Sequence, residues 1–174
     1  MAIDDPAGNG SRQTPAKHCK LNHLYLKDAS FEAPHVPGIL FWNEQPELVV
    51  TVHDAYTLRV DDIPQEAGEV YDVEVHMSVR ATAGGKCLFL VEVKQGGLVE
   101  LLGYGKEEAD FVLRTRGVEA LYPYVRELVN SLVVRGGFPR LTLRPLDFES
   151  RYSQAMEEYQ QSVQQSHGQA TDRS

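Results

Sequence analysis

Two acids raise the question of chemistry first. In the run KDASFEAP, residues 27–34, Asp28 and Glu32 lie four positions apart, with Phe31 between them and Pro34 closing the segment. Carboxylates so placed can share proton transfer, hold a divalent cation, or present negative charge to a partner. Geometry decides. Tyr25, Phe31 and the closing proline favour an extended segment. In a strand, residues four apart share a face with Cα atoms about 13 Å apart, at ~3.3 Å per residue. Glycosidase carboxylates stand about 5–9.5 Å apart, and ligands of one ion closer still. A helix would bring the pair to roughly 5–6 Å. Extended, the two acids suit a binding surface. Glu92 interrupts an otherwise apolar strand on its non-core face and is a candidate third member.

Other chemistry is missing. There is no GxSxG, HExxH, P-loop or GxGxxG ahead of a helix. The two cysteines, Cys19 and Cys87, form no CxxC and no disulfide framework. His18–Cys19 is too short a pair for a metal clip, and Cys87 is expected to pack as a small buried hydrophobe. His76 falls on a wet face, as a surface residue. No catalytic residue, metal site or cofactor is expected.

Charge points to a protein partner. The formal charge of −8 disfavours binding to nucleic acid backbones. Residues 21–62 carry seven acids and two bases, whereas residues 114–144 carry six arginines and two glutamates. Two regions of opposite sign suit protein–protein contact. No window approaches the ~20 apolar residues of a membrane span. The N-terminal MAIDDPAGNGSRQTPAKH lacks the apolar core of a secretory signal, so a cytoplasmic protein with no membrane insertion is expected.

The elements that position these residues follow from periodicity. Residues 1–20 are polar and aperiodic, a disordered leader. Residues 21–156 form one domain, and residues 157–174, rich in Gln and Ser, form a flexible tail expected to fray. LNHLYLKDASFEA reads as a first strand. PHVPGILFWNEQPE is a loop with an apolar knot at Ile39–Trp42. LVVTVHDAYTLRV reads as a second strand and DDIPQEAGE as a turn-rich connection. From Tyr71 to Thr82 apolar and polar residues alternate strictly, which makes one face buried and one wet. Gly84–Gly85 makes the hairpin turn. The return strand puts Cys87, Phe89, Val91 and Val93 on one face and Leu88, Leu90, Glu92 and Lys94 on the other. Gly96–Gly97 should end or bulge it.

KEEADFVLR reads as a short helix with acids in its first turn. Residues 118–135 form the main helix, stopped by Gly136–Gly137 and Pro139. Asp147 N-caps a last helix, FESRYSQAMEEYQQ. At 100° per residue, the apolar residues of the main helix from Val118 to Val133 fill an arc of roughly 180°, against the ~100° that a surface helix needs for its own core. The surplus implies a second copy of the helix, or cover from the last helix through Phe148 and Tyr152.

At this point the sequence resembles a family. LYLKDASFEAP, FLVEVKQGG and LYPYVRELVNSLVVRGGFPRLTLRPLDFESRY resemble, in order and spacing, the characteristic segments of SecB, the bacterial protein-export chaperone. The resemblance runs from about residue 24 to 153. It implies an α+β fold, a four-stranded antiparallel sheet with a long helix and a shorter C-terminal helix packed on one face, assembling as a homotetramer, a dimer of dimers. It implies an ATP-independent chaperone that holds newly made precursor proteins unfolded and delivers them to the motor ATPase SecA for export across the inner membrane. Carried over, Asp28, Glu32, Leu90 and Glu92 would dock SecA. Phe89, Val91, Val93 and Gln95 would face inward toward packing and assembly, with Leu121, Val125, Leu128 and Leu132 of the main helix in the oligomer interface. Leu48, Val50, Val52, Leu98, Phe148 and Tyr152 would line an apolar client groove, which recognises unfolded chains by burial at ~25 cal/mol per Å².

The sequence departs from the family in two places. Glu44, not Trp, precedes the QPE turn, with Trp42 two residues earlier, and the tail is Gln- and Ser-rich where the family's is often acidic. A SecB-like chaperone for a non-export client such as an antitoxin is the alternative. An enzyme on an antiparallel sheet would need a convergent polar cluster inside it, and the alternation shows none. A purely structural oligomer is a further class, against which the apolar knot argues.

Overall fold

The computed structural model describes residues 16–58 and 68–170, so most of DDIPQEAGE lies outside the described residues. Four strands form one antiparallel sheet in the order β1-β4-β3-β2: β1 is His18–Glu32, β2 Glu47–Leu58, β3 Glu69–Ala83 and β4 Lys86–Leu102. The Gly84–Gly85 hairpin makes β3 and β4 neighbours, while β1 reaches β4 by a long-range pairing. Both glycines have positive φ, at 53° and 73°, which side chains with a Cβ rarely adopt. β1 begins at His18, three residues before the expected start of the domain.

Helix α1, Lys106–Val112, runs through a π-helical turn, Leu113–Gly117, directly into α2, Val118–Arg135. Helix α2 ends as its glycines dictate, with Gly137 at φ 86°. An extended segment then returns along α2. Asn130 Oδ1 accepts from the Leu141 N–H at 2.8 Å, and Tyr122 Oη donates to the Arg144 carbonyl at 2.9 Å. Helix α3, Phe148–Ala170, follows. At 23 residues it is longer than the 18 of α2, and it runs well past residue 157, where fraying was expected.

The core lies between one face of the sheet and α2. Val73, Val75, Met77 and Val79 of β3 meet Val91 and Val93 of β4 and Leu121, Val125 and Val129 of α2, all essentially inaccessible. Among the described residues, the long helix α2 packs on this one face only. The sheet therefore has a dry inner side and a wet outer side, as strict alternation on β3 requires.

Two details of register differ from expectation. β4 passes through Gly96–Gly97 without interruption, and the irregularities fall on β1 instead, at Asn22 and Lys27. The glycines serve close approach. A Cβ on Gly96 would sit 2.5 Å from the Tyr25 ring, and one on Gly97 2.6 Å from Leu121 Cδ2 and 2.7 Å from Leu21 Cδ1. At the hairpin, Ala81 pairs with Phe89 but Thr82 with Cys87, so Leu88 is the extra residue. Leu88 turns into the core, and Cys87 is left half-buried beside Arg80 rather than packed with Phe89.

Candidate functional site

The outer face of the sheet brings four of the sequence-selected residues together. Asp28 on β1 pairs with Lys94 on β4, Ser30 with Glu92, and Glu32 with Leu90. Residues directly opposite on an antiparallel ladder share a face, so Asp28, Glu32, Leu90 and Glu92 form one patch. Asp28 and Glu32 are exposed, Leu90 and Glu92 half-buried. The expected extended form of residues 24–32 is what is observed.

Pairing continues across the sheet. Leu90 is flanked by Arg80, Glu92 by Ser78, and Lys94 by His76, which in turn faces His53 on β2. Three rows result: Glu32–Leu90–Arg80–Val49, Ser30–Glu92–Ser78–Thr51, and Asp28–Lys94–His76–His53. The His53 and His76 rings lie 6.2 Å apart. Among the described residues no group of three or more His, Cys, Asp or Glu is placed to hold a metal ion.

The same face is organised differently near Gly96. Tyr25 Oη donates to Asp72, and Lys27 Nζ donates to both Asp72 and Glu74. The bare Gly96 gives the Tyr25 ring its path across β4. Burial opposes the charge on Lys27, but the hydrogen bonds to Glu74 and Asp72 more than offset it and hold its ammonium above the ordinary lysine value.

On the inner side, Leu48, Val50 and Val52 of the edge strand β2 pair with Ala81, Val79 and Met77. Val52 is buried, while Leu48 and Val50 remain 44% and 43% exposed on β2, the edge strand of the sheet among the described residues. Phe148 is buried edge-on against Tyr122, with ring centroids 5.3 Å apart. Tyr152 packs edge-on against Phe111, and its hydroxyl donates to Asp110 Oδ2 at 2.8 Å. Burial and that carboxylate push the Tyr152 phenol above its ordinary value. Leu98 is not part of this group. It pairs with His23 and Asp72 and stands on the outer face, on the other side of the sheet.

A polar cluster ends this apolar strip. Arg114, presented by the π-helical turn, bridges Asp54 of β2 and Asp110 of α1 at 3.2 Å each, and Arg151 of α3 donates to the Val52 carbonyl at 2.9 Å. A cavity of about 260 Å³ lies among Asp54, Arg114, Arg151, Tyr152 and Glu158.

The residues assigned to assembly divide in two. Phe89, Val91, Val93, Gln95, Leu121 and Val125 are buried within the single chain, beneath or upon α2. Gln95 donates to the Tyr25 carbonyl at 2.6 Å. Leu128 and Leu132 are half-buried at the margin of the helix. Tyr124 on the same margin is 47% exposed, and Leu24 and Leu26 on β1 are 38% and 51% exposed. Sequence reasoning missed the two leucines because an edge strand's inner face looks like core. It also missed the stripe on α3, where Met156, Tyr159 and Val163 follow Tyr152 at spacings of four, three and four and stay exposed.

The chain has relatives among known proteins. The family described as "Preprotein translocase subunit SecB" matches residues 12–159. The chain belongs to the SecB family. The "Protein-export protein SecB" of Hydrogenovibrio crunogenus is 34% identical over 155 residues, covering 89% of this chain and 99% of that one. That of Xanthomonas euvesicatoria is 34% identical over 140 residues, covering 80% and 78%. A SecB-like chaperone of Mycobacterium tuberculosis, solved with a peptide from the HigA1 antitoxin, shares the fold with a TM-score of 0.57 at 20% identity, covering 74% of this chain and 91% of that chain. SecB is a family of export chaperones, so this chain is a SecB chaperone of the preprotein-export route. No helix among the described residues is long and apolar enough to cross a membrane.

Proposed function

We propose that this SecB chain holds precursor proteins unfolded along the inner side of β2 and docks the SecA motor on the outer face, without ATP. One observation carries this reading: the acidic patch and the uncovered apolar strip lie on opposite faces of the same sheet. A client on one side leaves the other free, so a loaded chaperone can still meet its motor. Five of the six groove residues, Leu48, Val50, Val52, Phe148 and Tyr152, belong to the inner side, where burial of an extended apolar segment supplies the affinity. Leu98 takes no part there in this scheme.

The assembly is a homotetramer, a dimer of dimers in the cytoplasm, joined along the seam of Leu24, Leu26, Tyr124, Leu128 and Leu132. Apolar exposure continuous along a helix margin and a neighbouring strand edge supports that seam. Phe89, Val91, Val93, Gln95, Leu121 and Val125 act in it indirectly, by holding α2 against the sheet. Catalysis, nucleic acid and cofactors have no place in the scheme.

The fold shared with an antitoxin-bound SecB-like chaperone favours a second reading, a non-export client such as an antitoxin. An aggregation assay with an unfolded precursor, with and without SecA and without nucleotide, separates the two. Suppression of aggregation together with SecA-dependent release supports export. Binding to precursor that SecA never relieves supports the other client.

A further inference from the structure

The outer face is charged in two ways at its two ends. Around Gly96, Lys27, Asp72, Glu74 and Tyr25 satisfy one another. Toward the hairpin, Asp28, Glu32 and Glu92 stand among Arg80 and Lys94, yet none of these five forms an ion pair among the described residues. Leu90 separates Glu32 from Arg80 in one row, and Ser30 and Ser78 flank Glu92 in the next. An acidic site for a purely basic partner has no use for Arg80 and Lys94, since cations at its rim repel that partner.

We propose that this face reads a partner segment bearing both signs: cations set against Asp28, Glu32 and Glu92, an apolar side chain over Leu90, and a carboxylate set against Arg80 and Lys94. Asp28 faces Lys94 across one strand spacing, and Glu32 stands two spacings from Arg80, about 9–10 Å. A single extended or helical segment spans that distance. The inference rests on the docking role proposed above and names the chemistry of its partner.

The sign of one substitution tests it. If the partner is only basic, Arg80→Glu and Lys94→Glu remove repulsion and tighten docking. If it carries both signs, they weaken it. Titration calorimetry of purified SecA against the intact chaperone at low salt is expected to show Arg80→Glu with Lys94→Glu weakening affinity by about tenfold. Both residues are exposed, and circular dichroism and light scattering confirm that fold and mass are kept. Unchanged or tighter binding overturns the proposal while leaving acidic docking intact. The Asp28→Lys, Glu32→Lys variant is measured beside it. Loss of binding there is required too; if that variant binds normally, the docking reading itself falls and the two-signed partner falls with it.

Discussion

Glu32 on β1 stands directly opposite Leu90 on β4, with Arg80 of β3 on the leucine's other side. An aliphatic side chain thus holds an acid and a base apart on one sheet face. With the leucine between them, Glu32 and Arg80 do not meet as direct cross-strand neighbours and remain available to a partner. Leu90 and Glu92 alternate with Val91 and Val93, which are locked beneath α2, so the outward side chains inherit the fixed pleat of the core.

From that arrangement, Asp28→Lys with Glu32→Lys is expected to abolish SecA binding and leave the oligomer intact. Both residues are exposed, so the fold loses little. Calorimetry with the SecA C-terminal segment checks the first part and light scattering the second. Unchanged affinity would remove these residues from the docking surface.

Gly97→Ala is expected to destabilise the chain by about 1–3 kcal/mol, the usual range for overpacking a closed core. Its new methyl would meet Leu121 Cδ2 at 2.6 Å and Leu21 Cδ1 at 2.7 Å, with the His23 carbonyl 3.2 Å away. Leu121 is fully buried and cannot swing clear. Urea denaturation at constant m-value measures the loss, and an unaltered midpoint would mean that the strand edge yields.

What sequence could and could not foretell follows from where the determinants sit. The alternation on β3, the glycine stop of α2 and the Asp147 cap are local, and the structure has all three. Bulges are not local. That Leu88 rather than Cys87 turns inward depends on which β3 residue each one pairs with. The π-helical turn is hidden for the same reason, since an extra residue in a helix leaves the apolar pattern around it readable as helix. Leu98 was within reach. With β4 unbroken at the glycines, it shares parity with Leu90 and Glu92 and must face outward. The Gln-rich composition of α3 masked its Tyr159 and Val163 stripe, which spacing alone would have revealed.

Asp147 should set the acid sensitivity of α3. Its Oδ1 accepts from the Ser150 N–H at 3.0 Å and its Oδ2 from the Ser150 hydroxyl at 2.7 Å, and these bonds hold its pKa below the ordinary carboxylate value. A carboxylate with a depressed folded pKa contributes stability above its unfolded value, and that contribution is lost as pH falls through the folded one. Hydrogen exchange at the first turn of α3 should therefore quicken below the ordinary Asp range. Asp147→Asn, which still caps, should remove the pH dependence, and Asp147→Ala should leave the turn open at neutral pH. Identical exchange in all three proteins would show that the Arg151 bond to Val52 anchors the helix alone.

Assembly gives the sharpest structural test. Within one chain α2 spends the centre of its apolar arc, Leu121, Val125 and Val129, on the sheet, and leaves one margin with Tyr124 exposed and Leu128 half-covered. Leu24 and Leu26 extend the same exposure onto β1. Leu128→Asp would place an unpaired carboxylate in that seam once a second copy closes over it, and the desolvation penalty, roughly 2 kcal/mol or more per copy, recurs at every symmetric contact. Light scattering should report a fall from the proposed tetramer toward dimer or monomer with circular dichroism preserved, because Leu128 is only half-buried in the chain itself. Val129→Asp is the contrast. It strikes the filled core and should unfold the chain instead. If Leu128→Asp keeps the tetramer's mass, the seam lies elsewhere, and the stripe of Met156, Tyr159 and Val163 on α3 becomes the surface that joins the copies.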